Sequence, residues 1–329
     1  MKTKKRYAFM KIKRGFWKTK DAFMKIKRGF WGTKDAFMKI KRGFWGTLLF
    51  VALLVGIAVG MVIVLARPAS VAESVRFPII MYHDVRATPE VEDDYLISTR
   101  RLEEDITAML QAGYQPVSLS RVIAFVYNGE AIPDKPVLLV FDDGYKSMLE
   151  DVLPLLQRHE ISAVVSLIGG RADGTADGTE LWNYLTWDGV RELVQSGHVE
   201  VQSHTAALHV YRARKGVSRL PYEELAGYES ILAEDIDAFR ALIEREGVPM
   251  LPSFAYPYGF VDADAEALLR RKGFAVTMTS EEHVNFLTRN PECLYLLGRL
   301  NRSAEMTTKQ LMVWLDGAET DETGFVLLE

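Results

Sequence analysis

Five apolar residues followed at once by two acids, Val137-Leu138-Leu139-Val140-Phe141 and then Asp142-Asp143-Gly144-Tyr145, limit the possible folds more than any other stretch of this chain. An unbroken apolar run of strand length reads as a strand buried on both faces, which is the condition of a parallel sheet under helices. Two carboxylates at its C-terminal end sit where α/β enzymes place their chemistry. Adjacent like charges are costly unless a cation lies between them or one carries a proton. A metal ion resolves that cost, and the sequence offers further ligands. Residues 197–203 read as a turn and a second strand, which closes on His204-Thr205-Ala206-Ala207-Leu208-His209. The five-residue spacing of the histidines misses the i, i+4 register of a helix and points to a loop or an irregular turn. One Asp and two His make an N/O set suited to zinc, with cobalt, nickel or iron as the other divalent candidates and positions left open for water and substrate.

At these residues the chain resembles the polysaccharide deacetylase (NodB-homology) family of metal-dependent carbohydrate esterases. The first family motif stands here as Val140-Phe141-Asp142-Asp143-Gly144, the second as His204 to His209, and the third as Ala255-Tyr256-Pro257-Tyr258-Gly259. The resemblance covers residues 77–302 or thereabouts. Two departures accompany it: Ala255 stands where many members carry an arginine, and no late Leu-x-x-His appears, His283 being the only histidine after His209. Both departures are similar to the poly-β-1,6-N-acetylglucosamine deacetylase branch, in which an early Tyr-His supplies the acid; Tyr82-His83 occupies that place here.

The resemblance implies a set of roles. Asp143, His204 and His209 hold the metal, Asp142 is the general base and His83 the general acid. The backbone N–H of Tyr145 stabilises the oxyanion. Tyr256, Pro257 and Tyr258 line a sugar groove, with Trp182, Tyr184 and Trp187 as further aromatic candidates. Arg299, at an expected strand end, is a candidate to replace the missing arginine beside Asp142. The implied substrate is an extracellular N-acetylated polysaccharide, β-1,6-linked poly-N-acetylglucosamine first. Peptidoglycan, a chitin-like polymer or xylan are the alternatives, and a catalytically silent glycan-binding protein is the rival class.

Charge is unevenly spread. Residues 1–42 hold 16 Lys and Arg against 2 Asp, which leaves 24 basic and 42 acidic residues in the remainder, so the net charge of −4 hides a basic head on an acidic body. Residues 47–66 carry no charge, and a helix needs roughly 20 apolar residues to cross a bilayer. The basic flank predicts a single-pass anchor with the N-terminus in the cytoplasm and the acidic domain outside. A cleaved signal peptide ending near Ser70-Val71-Ala72 is the competing expectation, disfavoured by the length of the apolar core. The single cysteine, Cys293, excludes an internal disulfide. Within the head, Ala8-Phe9-Met10-Lys11-Ile12-Lys13-Arg14-Gly15-Phe16-Trp17 recurs from Ala22 and from Ala36. Units this short and basic bury no core. They read as a topology signal enlarged by duplication, or as a segment lying on anionic lipid. Membrane lipid is therefore an expected partner and nucleic acid is not. No obligate protein partner is read from the sequence.

The expected organisation is a basic segment over 1–46, a transmembrane helix over 47–66, a linker over 67–76 and the deacetylase domain over 77–329. Within the domain, strands are expected over 162–168, 253–256, 274–278 and 295–300. Helices are expected from Ser98 to a stop at Gly113, within 143–159, and over 188–196, 222–246 and 262–272. The segment 169–180 reads as a polar loop at the rim of the site. Alternation of this kind argues for one parallel α/β domain, which the resemblance sharpens to a distorted (β/α) barrel of about seven strands.

Overall fold

Each residue of the 137–141 run is buried, and its side chains divide between two cores in the strand's period of two. Val137, Leu139 and Phe141 enter one apolar cluster, whereas Leu138 and Val140 enter another on the opposite face. The strand is thus covered on both sides, as its composition requires.

The computed structural model describes residues 74–175 and 183–317. The chain enters through β1 (Val75–Phe77), β2 (Ile79–Tyr82), β3 (Asp84–Arg86) and β4 (Leu96–Ser98), then forms α1 (Thr99–Gln111). Ser98 caps α1 by accepting from the Arg101 amide. Next come β5 (Gln115–Pro116), α2 (Leu119–Asn128), β6 (Pro136–Asp143), α3 (Leu153–Arg158) and β7 (Ala163–Leu167). The short α4 (Gly169–Ala172), α5 (Trp187–Gln195), β8 (Val199–Ser203) and the long α6 (Leu225–Glu246) follow. The described chain ends through β9 (Ser253–Ala255), α7 (Ala263–Arg271), β10 (Val276–Met278), β11 (Asn285–Leu287), β12 (Leu300–Asn301) and α8 (Thr308–Asp316).

Seven strands form one parallel sheet in the order β10-β9-β8-β7-β6-β2-β12, with β5 also paired to β6. The sheet curves as a half-barrel, and β10 at one edge is bridged through Met278 to Leu297, in the segment that leads into β12. Because the strands of this sheet run the same way, the C-terminal ends of β2, β6, β8 and β9 share one rim, which carries His83, Asp142, Asp143, Tyr145, His204, His209 and Tyr258.

Several expectations shift. The strand expected over 295–300 is only Leu300–Asn301, because a 3₁₀ turn at Pro291–Leu294 and a left-handed Leu296 (φ 57°) interrupt it. β1 overlaps the last two residues of the expected linker, since Val75–Phe77 pairs antiparallel with Asn285–Leu287. The polar loop expected from Gly169 opens as helix α4, with both glycines buried, and Gly169 has no room for a Cβ beside Phe239 and Leu242. α2 and α8 were not anticipated. Among the described residues no helix is long and apolar enough to cross a membrane. The basic repeats, the apolar stretch 47–66 and Trp182 lie outside the described residues.

Candidate active site

A regular strand would send Asp142 and Asp143 to opposite faces of the sheet. Asp143 instead takes a left-handed conformation (φ 73°), followed by Gly144 at φ 77°. The reversal turns both carboxylates into one cavity of about 550 Å³ at the sheet rim. Gly144 is required twice over: its φ is positive, and an added Cβ would meet Leu167 Cδ1 at 2.7 Å. Of the five non-glycine residues with positive φ among the described residues, Tyr258 (57°) also lines this cavity and Thr205 (78°) directly follows its lining residue His204. Each costs about 1–3 kcal/mol unless its surroundings enforce it, and such residues gather at functional sites.

Asp142 is 3 % exposed and faces Arg299, itself 1 % exposed. Arg299 Nη1 donates to both carboxylate oxygens at 2.8 and 2.9 Å, and its Nε donates to the Thr279 carbonyl at 2.7 Å. Burial alone would raise the Asp142 carboxyl. The Arg299 charge, aided by His204 and His83, outweighs burial and brings it to about 2. The structure thus brings together two residues that stand 157 apart in sequence.

Asp143 directs its two oxygens differently. Oδ1 lies 3.2 Å from His209 Nε2 and 3.6 Å from His204 Nε2, while Oδ2 lies 3.3 Å from Arg171 Nη1. Burial opposes ionisation here too, but His209, Arg171 and His204 hold the carboxyl well below the usual range. His204 donates through Nδ1 to the Ala255 carbonyl at 2.8 Å, which leaves its Nε2 lone pair facing the carboxylates. Burial lowers the His204 imidazole to about 4, so it is neutral at pH 7. One donor atom each from Asp143, His204 and His209 lies within 4.8 Å of the others. Two imidazoles and a carboxylate oxygen on one side of an open cavity fit a zinc-type ion with free positions.

His83 lines the same cavity, edge-on to Tyr95 at 4.8 Å, and its Nδ1 is buried without a partner. Burial lowers its pKa against the pull of Asp142 and Asp143. Tyr145 also lines the cavity, and its ring stacks on Tyr184 at 4.9 Å. Its loop is tied down by Leu185 N to Gly144 O at 2.9 Å and Lys146 N to Asn183 O at 2.8 Å. Tyr258 lies over His209 at 4.4 Å and against Tyr211 at 5.2 Å. Its strained turn continues into Gly259, where a Cβ would fall 1.7 Å from Ser280 Oγ.

Three expected groove residues belong elsewhere. Tyr256 is fully buried and donates its hydroxyl to Glu266 Oε2 at 2.9 Å, within the cluster formed by Phe254, Tyr228 and α7. Pro257 is buried in the turn that follows and does not line the cavity. Trp187 begins α5, packs into the core and donates Nε1 to Asp173. For Tyr256 and Pro257 the sequence is equally consistent with a packed turn, and for Trp187 with a core aromatic at a helix start; packing selects those readings over a sugar groove. Two residues with no assigned role emerge. Arg171 braces Asp143 and lies over the Tyr184 ring at 4.4 Å. Asp235, on α6, accepts from three backbone amides of the loop between the histidines. Arg171 gave no signal within its glycine-rich segment. Asp235 did: it is an acid on the buried stripe Leu232, Asp235, Ile236, Phe239, Ile243 of a long helix.

Residues 129–277 match the family model for polysaccharide deacetylase. The chain is similar to the poly-beta-1,6-N-acetyl-D-glucosamine N-deacetylase of Escherichia coli K12, 31 % identical over 228 residues, 62 % of this chain and 34 % of that protein. It therefore spans about a third of that relative's length. Among solved structures it is similar to a de-N-acetylase from Aggregatibacter actinomycetemcomitans, with TM-score 0.64 and 25 % identity over 72 % of this chain and 98 % of that one. It is also similar to IcaB from Ammonifex degensii, with TM-score 0.61 and 26 % identity over 74 % and 97 % of the two chains.

Proposed function

This chain carries a polysaccharide deacetylase domain, and we propose that it removes N-acetyl groups from an extracellular amino-sugar polymer, poly-β-1,6-N-acetylglucosamine first. The observation that carries this reading is the division of labour between adjacent carboxylates. Asp142 is held ionised by Arg299, and Asp143 is turned toward His204 and His209. Asp143, His204 and His209 would hold a divalent ion, zinc first, which would supply acidification of a bound water and polarisation of the acetyl carbonyl. Asp142 stands beside that ligand set, free to accept the proton as the water attacks. The Tyr145 backbone N–H lies at the start of the loop that follows the carboxylates and is placed to donate to the developing oxyanion. His83, whose pKa burial lowers, would take up a proton from solvent and pass it to the departing amine as the C–N bond breaks. The exposed face of Tyr258 supports the sugar ring.

For the rest of the chain, we infer that the uncharged stretch 47–66 anchors the protein in the cell membrane. The basic segment 1–46 then lies in the cytoplasm against lipid, with the domain outside. The charge asymmetry of the sequence supports this orientation.

Acetate release from β-1,6-linked N-acetylglucosamine oligomers, with and without added divalent metal, tests the reading. Metal-dependent release that D142N abolishes while zinc binding survives is the expected result. Release from β-1,4 polymers alone would move the substrate to peptidoglycan or a chitin-like chain. Glycan binding with no release from any substrate would leave a silent binding protein. Near-full activity of D142N would refute the role of Asp142.

A further inference from the structure

The loop from His204 to His209 has to place two imidazoles against one carboxylate oxygen, and the two histidines are held unequally. His204 has a ring anchor in the Ala255 carbonyl. His209 has none: its Nδ1 is buried and without a hydrogen-bond partner. Its ring is bounded by Tyr258 at 4.4 Å and His204 at 4.7 Å, contacts that set spacing but not direction. The aim of His209 therefore depends on the backbone before it. That backbone leaves β8 through Thr205, in a left-handed conformation that a β-branched residue adopts only under constraint.

We propose that Asp235 is the positioning residue that imposes this conformation and so aims His209 at the metal site. Its Oδ2 accepts from Ala206 N at 2.9 Å, and its Oδ1 accepts from Ala207 N at 2.7 Å and Leu208 N at 3.1 Å. Three successive amides converging on one carboxylate form an anion nest, and such charge-assisted bonds are about twice as strong as neutral ones. Asp235 is 7 % exposed, and among the described residues no Arg or Lys pairs with it. The loop amides are thus its hydrogen-bond donors. It stands 27 to 29 residues from them in sequence, on a helix fixed by Leu232, Ile236 and Phe239 in the core. The opposite side of the loop is held by β7 and α4, through Gly169 N to Thr205 O at 3.0 Å and Gly170 N to Ala206 O at 2.8 Å. The loop is therefore clamped between a rigid helix and the sheet rim, and the clamp reaches the metal only through His209. Partners at one remove from a metal typically change affinity about 10–100-fold when lost.

This inference rests on the metal reading above, so its test includes a measurement that needs no metal. D235N keeps the shape of the side chain, but its amide nitrogen cannot accept, so at least one loop amide loses its acceptor. In the full chain, zinc affinity is read by competition with a chromophoric chelator. Backbone amide exchange is read in the metal-free protein, with I236V as a control that loosens the same helix without touching the loop. D235N is expected to weaken zinc binding about 10–100-fold and to speed exchange at residues 206–209 while the sheet stays protected. I236V is expected to leave zinc affinity unchanged. Unaltered zinc affinity in D235N overturns the proposal, as does faster exchange spread evenly over the domain, which would mark a purely structural acid. If the wild-type chain binds no zinc, the metal reading falls. The local exchange then decides alone whether Asp235 holds the loop.

Discussion

Replacing Arg299 by methionine removes a buried cation while keeping most of its volume, and so isolates what the guanidinium does for Asp142. Arg299 and Asp142 are both nearly inaccessible to water, and two bonds of 2.8 and 2.9 Å join them. Losing one partner of such a pair strands the other charge in a low dielectric, at a cost of about 3–5 kcal/mol. A domain of this size loses roughly 2–4 °C of Tm per kcal/mol, so R299M is expected to melt about 6–20 °C lower. The same argument makes the losses non-additive. In a D142N background no carboxylate remains to be stranded, and removing the cation as well leaves two uncharged groups of similar volume. The double variant should therefore recover at least about 2 kcal/mol relative to the sum of the single changes, within the range for directly contacting groups. Denaturant unfolding of wild type, R299M, D142N and the double variant supplies the cycle. Acetate release by R299M should fall with the stability, because the base loses both its aim and its counter-charge. A coupling within 0.5 kcal/mol of zero, the scatter expected of independent sites, would refute the claim that Arg299 serves Asp142.

Adding zinc at about 100 times its Kd should stabilise the wild-type chain by about 2.7 kcal/mol, seen as a rise in Tm, and H204A should show no rise. Y256F should lose about 1 kcal/mol, because the phenol's bond to Glu266 is buried. It should keep full deacetylase activity; a large loss of activity would return Tyr256 to the substrate groove. Glu92, bonded to Arg101 and Ser98, has its carboxyl lowered from 4.5 to about 2. The folded form thus holds the proton less tightly than the unfolded one. The stabilisation is complete above pH 4.5 and is lost as pH falls toward 2. E92Q should flatten the acid limb of the stability profile across that window, as read by thermal midpoints at successive pH values.

The parts of the fold set by local chemistry could be read from the chain. The 137–141 run gave the central strand, Ser98 and Gly113 bounded α1, and Gly247 in the left-handed conformation closed α6. The Asp142–Asp143 pair could be placed at a strand end because β6 is apolar from Val137 to Phe141. What pattern alone does not carry is the direction of a side chain once the backbone departs from regular geometry. Asp143 and Thr205 turn through left-handed conformations that neither residue type announces. Tyr256, next to a Pro-x-Gly turn, looks the same in sequence whether it points to a groove or to Glu266 in the core. Arg171 meets Asp143 from a segment whose glycines suggested a loop. Only tertiary packing decides such cases.

The half-barrel also imposes an order of events on a newly made chain. Asp142 emerges with β6, but its counter-charge lies 157 residues later, in the segment that brings the last strand to the sheet edge. At roughly 5–20 residues per second, about 8–30 s pass between the two. Throughout that interval Asp142 has no Arg299 guanidinium to hold its charge. A nascent or truncated chain ending before Arg299 should therefore lack this ion pair even with Asp143, His204 and His209 in place.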